Sequence, residues 1–105
     1  MKCYCVYILA SKKNGTLYIG VTGNLLQRVH EHKSGDIPGF SSRYGVDKLV
    51  YFETFRSISA AIAREKCLKK WRRKWKIELI EQYNPGWKDL YPGLVEGTGF
   101  PLSRE

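Results

Sequence analysis

The sequence predicts an α+β fold, in which a small three-stranded antiparallel sheet is flanked by helices in the order β-β-α-β-α-α. Two apolar runs, at residues 3–10 and 16–21, flank a polar turn that contains Asn14-Gly15, which is typical of a β-hairpin. Apolar residues recur at helical spacing in three later segments. The 105 residues are enough for one domain with a modest core.

The hairpin strands place two tyrosines close to each other. If the turn contains an even number of residues, Tyr7 and Tyr18 lie on one face of the sheet, whereas an odd number places them on opposite faces. Gly20 shares a face with Tyr18 and is expected to leave space beside the rings for a ligand. Core packing is the commoner role of such tyrosines, and that alternative stays open.

A short helix and a third strand follow the hairpin. The Thr-Gly-Asn run at 22–24 offers an N-cap for a helix over residues 25–33. Three of its residues are expected to face inward: Leu25, Leu26 and Val29. Residues 34–44 contain two glycines and a proline and predict a loop. Residues 48–55 are rich in β-branched and aromatic side chains and predict the third strand.

Two further helices complete the domain. Ser57 or Ser59 can cap a helix that runs to about residue 73, and another covers residues 75–83 until Asn84-Pro85-Gly86 stops it. The inward stripe of the longer helix is expected to comprise Ile58, Ala61, Ile62 and Leu68. The domain is expected to span residues 1–91, and residues 92–105 to form a loosely ordered tail.

Composition favours a cytoplasmic protein without a membrane partner. No apolar run reaches the roughly 20 residues of a membrane-spanning helix, and the N-terminal run lacks a signal-peptide cleavage site. The three cysteines form no CxxC pair and are expected to be buried, free thiols in a reducing compartment.

The charge of the chain favours a polyanionic partner. Lys and Arg number 18 against 10 acidic residues, for a net charge of +8, which attracts nucleic acids. Residues 69–76 combine six cations with two indoles, as nucleic-acid surfaces do. Five of these cations are the expected nucleic-acid contacts: Lys69, Lys70, Arg72, Arg73 and Lys74. The alternative is that Trp71 and Trp75 pack in the core while the cations face water.

Three polar residues stand beside apolar stripes. Glu65 falls in the stripe of the longer helix, three residues from Ile62 and three from Leu68. A carboxylate is rarely buried unless it is paired or binds a metal, so a salt bridge and a metal ligand are the alternatives. Arg28 and His32 share one face of the first helix, where they could clamp a phosphate and transfer a proton or simply form a solvated edge.

In this order the residues resemble the GIY-YIG endonuclease family. The second half of its motif is present as Tyr18-Ile19-Gly20, and the first half appears as Cys5-Val6-Tyr7, which keeps the tyrosine but not the glycine. The other matching positions are Arg28, His32, Glu65 and Asn84. The resemblance covers residues 3–91 and is closest to small stand-alone proteins similar to the N-terminal nuclease domain of the DNA-repair excinuclease.

The resemblance implies a GIY-YIG nuclease-like fold and a metal-dependent endonuclease acting on DNA, or on RNA, that is structure-selective and linked to repair or recombination. One Mg²⁺ or Mn²⁺ would be held by Glu65, Arg28 would bind the scissile phosphate, and His32 would assist Tyr7 or Tyr18 in activating water. Three supporting roles are also implied: Gly20 and Asn84 in the site, and Arg43 at a phosphate. Two alternatives stay open, a non-catalytic nucleic-acid-binding domain and a module that docks an acidic protein.

Overall fold

The computed structural model describes residues 3–36 and 43–96. The strands are β1 (Tyr4–Ala10), β2 (Leu17–Thr22) and β3 (Lys48–Phe55), and the helices are α1 (Leu25–Ser34), α2 (Ile58–Lys70), α3 (Arg73–Tyr83) and α4 (Tyr91–Val95). The strands form one sheet in the order β2-β1-β3, and both pairs are antiparallel. The predicted α+β class is therefore confirmed. Much of the predicted loop, residues 37–42, lies outside the described residues.

The register of the hairpin decides which residues share a face. Tyr7 pairs with Gly20, and Leu9 pairs with Tyr18. The turn over residues 11–16 therefore has an even length, which is the case that brings the two tyrosines together. Two hydrogen bonds between Ser11 and Thr16 close this turn. The Ser11 amide donates to the Thr16 carbonyl at 3.0 Å, and the Ser11 hydroxyl accepts from the Thr16 amide at 3.0 Å.

Each face of the sheet carries its own core. Val6, Ile8 and Ala10 pack with residues of α2 and α3 on one face. On the other face Tyr7 and Leu9 pack with residues of α1, and α4 adds to that cluster. Because β1 is the central strand and is covered on both faces, its apolar side chains do not alternate with polar ones. Helices α1 and α2 therefore lie on opposite faces of the sheet.

The inward positions of two helices were predicted in part wrongly. Leu26 of α1 and Ile58 of α2 are both 42% exposed, whereas Val29 and Leu68 are fully buried. Each exposed residue lies in the first turn of its helix, where the stripe begins. Helical spacing assigns a face but not the point at which that face meets its neighbour.

Residues at the helix ends determine where α1 and α2 begin and end. The Asn24 side chain accepts from the Gln27 amide at 3.2 Å and caps α1, and Ser57 caps α2 in the same way. Gly35 closes α1 with a φ of 78°, a left-handed conformation that glycine adopts without strain. Helix α2 ends earlier than predicted, because Trp71 is extended and α3 begins at Arg73.

The segment after α3 contains a further short helix. Tyr91–Val95 is helical, and Tyr91 and Leu94 pack against the cluster that contains Tyr7. Lys33 of α1 contacts the Asp89 carboxylate, which also accepts from the Leu49 amide at 3.1 Å. Residues 97–105 lie outside the described part of the chain. Within that part, the structure contains no helix with the length and apolarity needed to span a bilayer.

Candidate active site

The ring of Tyr7 crosses the edge strand of the sheet over Gly20. A Cβ atom built on Gly20 would lie 2.5 Å from the Tyr7 hydroxyl and 2.6 Å from its Cζ. Because Tyr7 belongs to the central strand and Gly20 to the edge strand, the hydroxyl is carried outward to the rim of the sheet. The space that we expected beside the rings is therefore filled by Tyr7 itself.

This close approach makes Gly20 sensitive to a single methyl group. We expect Gly20→Ala to cost about 1–3 kcal/mol of stability, the usual range for overpacking, because Tyr7 is only 2% exposed and its ring cannot swing into solvent. A ring displaced by about 1 Å should also slow any reaction at its hydroxyl by about 10²-fold. Thermal unfolding and a cleavage assay measure the two effects.

Gly86→Ala is the matched control, because a Cβ there would meet only the Lys88 side chain at 3.7 Å, an ordinary contact. Equal stability and activity of the two variants would contradict the role assigned to Gly20.

Three rings meet at this rim. The Tyr7 hydroxyl lies 3.2 Å from Nε2 of His32. The Tyr18 ring centroid lies 5.2 Å from that of His32 and 6.3 Å from that of Tyr7. His32 is 5% exposed, so its imidazole is held by packing on α1. The two strands and α1 thus assemble the tyrosines and the histidine that the sequence singled out.

Burial shifts the pKa values of the paired groups in opposite directions. Burial lowers the pKa of His32 from its usual 6.5, the nearby Arg28 charge lowers it further, and Glu31 raises it, so the imidazole is neutral at pH 7. Burial raises the pKa of Tyr7 well above 10, and the neighbouring Tyr18 adds to this increase. A neutral phenol and a neutral imidazole therefore face each other, which allows one proton to pass between them.

Charged residues on both faces of the sheet act on the pKa of the Tyr7 hydroxyl, among them Arg28, Glu65 and Glu31. The positive charge of Arg28 on α1 lowers the pKa of Tyr7, and the negative charge of Glu65 on α2 raises it. Since the hydroxyl lies at the edge strand, both helices can approach it around that edge. Arg28 is exposed, and its guanidinium lies 3.8 Å from the Glu31 carboxylate.

Glu65 is a partly buried carboxylate on α2. Its side chain is 15% exposed, and its carboxylate lies 2.9 Å from the Lys69 ammonium one turn later on α2. Mg²⁺ usually takes one or two carboxylates and completes its shell with water and substrate phosphate, so one accessible carboxylate fits this ion. Among residues 3–36 and 43–96, no group of three or more His, Cys, Asp or Glu side chains could hold a metal.

Asn84 and Arg43 have partners of their own. The Asn84 side chain donates to the Val50 carbonyl at 3.0 Å and the Lys88 carbonyl at 2.9 Å, and accepts from the Lys88 amide at 3.1 Å. It therefore attaches the end of α3 to β3 and supports the site only through the fold. Arg43 is exposed, and its guanidinium lies 6.0 Å from the centroid of the Tyr44 ring.

The basic segment divides into different environments. Lys69 pairs with Glu65, and the Arg73 guanidinium donates to the carbonyls of Asn14 and Gly15 at 2.7 and 2.6 Å, which ties α3 to the hairpin turn. The Arg72 guanidinium lies 5.3 Å from the centroid of the Trp75 ring. The remaining predicted contacts are exposed side chains: Lys70 and Lys74.

The two tryptophans of this segment differ in burial. Trp71 packs against the core cluster of α2 and α3, while Trp75 is 46% exposed. Lys76, which is not among the five predicted contacts, lines a groove beside Tyr18. A spacing of seven residues would place Lys69 and Lys76 on the same face of one continuous helix. This spacing was not informative here, because α2 ends and α3 begins between the two residues.

Known proteins are similar to this chain in sequence. The sequence profile of the GIY-YIG catalytic domain matches residues 3–78. A UPF0213 protein of Clostridium perfringens is 41% identical over 75 residues, which cover 71% of this chain and 80% of that protein. A UPF0213 protein of Syntrophus aciditrophicus is 39% identical over 84 residues, which cover 76% of this chain and 91% of that protein.

A solved structure agrees with the fold. The solution NMR structure of a UPF0213 protein from Bacillus halodurans superposes with a TM-score of 0.52 at 28% identity, covering 83% of this chain and 92% of that one. The family profile spans both halves of the tyrosine motif and continues through Glu65. The chain therefore belongs to the GIY-YIG nuclease family, and its relatives include UPF0213 proteins.

Proposed function

We propose that this protein is a metal-dependent endonuclease that hydrolyses a phosphodiester bond in DNA, selects its substrate by structure, and serves repair or recombination. The observation that carries the proposal is the Tyr7 hydroxyl 3.2 Å from Nε2 of a neutral His32, with the charges of Arg28 and Glu65 acting on the same hydroxyl. Buried tyrosine hydroxyls usually have a hydrogen-bond partner, and the partner of Tyr7 is an imidazole, which can take up a proton near neutral pH.

The proton path follows from the two pKa shifts. With its pKa raised, Tyr7 is protonated at rest and is no base on its own. In the tautomer with a proton on Nδ1, the Tyr7 hydroxyl donates to Nε2 of His32. As water attacks phosphorus, the Tyr7 oxygen accepts the proton of that water while its own proton passes to Nε2, so no free phenolate accumulates.

The substrate phosphate requires positive charge beside this relay. Arg28 is exposed and can hold the phosphate oxygens through two parallel hydrogen bonds. A single Mg²⁺ or Mn²⁺ bound by Glu65 would supply stabilisation of the charge that develops on the phosphate and on the leaving 3′ oxygen. Tyr18 packs beside both Tyr7 and His32 and keeps their rings aligned.

The relay sets the pH dependence of cleavage. Burial lowers the pKa of His32 below 6.5. The imidazole is therefore neutral, and able to accept a proton, at every pH above this lowered pKa. We expect the single-turnover rate to hold from pH 8 to about 6.5 and then to fall as pH drops through the lowered pKa. A rate that falls tenfold per unit from pH 8 downward would contradict this assignment.

A cleavage panel tests the proposal. The purified chain is incubated with forked, flapped, junction and linear DNA and with RNA, in Mg²⁺, Mn²⁺ or EDTA. We expect metal-dependent cuts on branched DNA that leave a 5′ phosphate and a free 3′ hydroxyl, because water attacks phosphorus while the 3′ oxygen leaves. Salt-dependent binding without cleavage in any metal would instead favour a non-catalytic nucleic-acid-binding domain.

We also propose the cytoplasm as the site of action, since all three thiols are free. Only Cys5 is buried as predicted, and burial raises the pKa of its thiol to about 11. Cys3 and Cys67 are exposed, and thiols that are both exposed and unpaired persist in reducing compartments.

A further inference from the structure

A groove of about 260 Å³ lies between the edge strand β2 and the junction of α2 with α3. It is lined by Leu17, Tyr18, Ile19, Lys69 and Lys76. The three residues of β2 are consecutive, so their side chains alternate between the two faces and the groove follows the edge of the strand. Tyr18 is shared with the candidate active site, where its ring lies beside those of Tyr7 and His32. Tyr18 is thus the residue that the groove and the candidate active site have in common.

Its chemistry is cationic on one side and apolar on the other. Lys69 and Lys76 come from different helices and both line the groove, although the Lys69 ammonium also pairs with the Glu65 carboxylate at 2.9 Å. The Lys76 ammonium donates to the Lys69 carbonyl at 3.4 Å, which holds it at the C-terminal end of α2. Leu17 supplies the accessible apolar wall, because Ile19 is only 5% exposed. Such a pairing complements a ligand that carries phosphates beside apolar ring faces.

An unpaired nucleic-acid strand has this combination of surfaces. In a duplex the bases are stacked inside and the phosphates face outward, so an apolar wall would find no partner. Proteins that bind single strands combine a cationic groove along the backbone with side chains that contact exposed bases. Lys76, together with Lys69, would contact phosphates, while Leu17 and Tyr18 would contact sugar and base.

We propose that this groove binds an unpaired strand immediately beside the scissile phosphate. The proposal rests on the proposed function and adds a substrate feature to it. Cleavage would take place beside an unpaired strand, because Glu65, the proposed metal ligand, pairs with Lys69 of the groove.

Lys76→Ala tests the groove without touching Glu65, which a change of Lys69 would disturb. Binding of a fluorescent single strand, a fork and a blunt duplex is measured by anisotropy in EDTA over a series of salt concentrations. We expect the affinity for the single strand and the fork to fall roughly three- to tenfold and the salt slope to drop by about 0.7. Affinity for the duplex should change less than twofold.

Lys88→Ala removes the same charge beyond the opposite end of α3, where the side chain is exposed, and should leave all three affinities unchanged. Lys76→Arg should restore binding. If Lys76→Ala binds the fork like Lys88→Ala, the groove proposal is wrong while wild-type cleavage still upholds the nuclease. An equal loss on the duplex would overturn the preference for an unpaired strand. A wild type that neither binds nor cuts would end both proposals.

Discussion

Replacing Glu65 with Gln should abolish cleavage while the protein stays folded. The amide keeps the shape of the side chain but loses the charge that would hold a divalent cation. Losing about 4 kcal/mol of transition-state stabilisation corresponds to a rate loss on the order of 10³-fold. Single-turnover cleavage of forked DNA in saturating Mg²⁺ measures this effect.

The change is expected to affect stability little. Glu65 loses its ion pair with Lys69, a contact one helical turn apart that is typically worth about 0.3–0.5 kcal/mol. Glu78→Gln is a matched control, because Glu78 is an exposed carboxylate on α3 and its removal changes the net charge equally. A Glu65→Gln variant that cuts at the wild-type rate would refute the assignment of the metal ligand.

Removing the hydroxyl of Tyr7 is expected to have the second large effect. Tyr7→Phe keeps the ring over Gly20 and removes only the oxygen through which the proton would pass to His32. General acid–base groups typically contribute about 10²–10⁴-fold to rate, and we expect a loss of kcat in this range with little change in KM. Stability should fall by about 1 kcal/mol, the usual net contribution of one hydrogen bond.

Tyr51→Phe provides a stringent control for Tyr7→Phe. Both tyrosines are 2% exposed, burial raises the pKa of both, and both hydroxyls contact another side chain, which for Tyr51 is Glu53. Tyr51 packs in the core cluster of α2 and α3, away from His32. If Tyr51→Phe loses as much activity as Tyr7→Phe, the loss reports on packing and the relay is wrong.

Tyr18→Phe separates the two tyrosines that the sequence could not rank. We assign the proton transfer to Tyr7 because its hydroxyl is the one within 3.2 Å of His32. Tyr18 is half-buried and lines the β2 groove, so its loss should raise KM more than it lowers kcat.

The elements that could be predicted are those that local chemistry determines. Alternation and apolar runs were sufficient to predict the strands. The capping side chains of Asn24 and Ser57 were sufficient to predict where α1 and α2 begin. The common face of Tyr7 and Tyr18 depended on the parity of the turn, which the sequence left undecided. Asn14, at a φ of 59°, allows the even turn that forms. Glu65 was recognised because a carboxylate in an apolar stripe is rare.

The structural features that could not be predicted from the sequence depend on contacts between distant segments. Nothing in the order of residues indicates that Asn84 binds the backbone of Val50, 34 positions earlier, or that Arg73 binds the hairpin turn 58 and 59 positions away. A cationic run looks uniform in sequence because each Lys or Arg has the same charge. In the folded protein Arg73 binds the hairpin turn, whereas Lys69 pairs with the Glu65 carboxylate.

Lys69 and Lys76 also bear on self-association. β2 is an edge strand, and the unpaired amides and carbonyls of such a strand can recruit a strand from another copy, which is how many aggregates begin. Positively charged side chains along an edge repel an incoming strand of the same chain. The cations beside Tyr18 are therefore expected to keep copies apart as well as to attract a polyanion, so that neutralising both would favour aggregation.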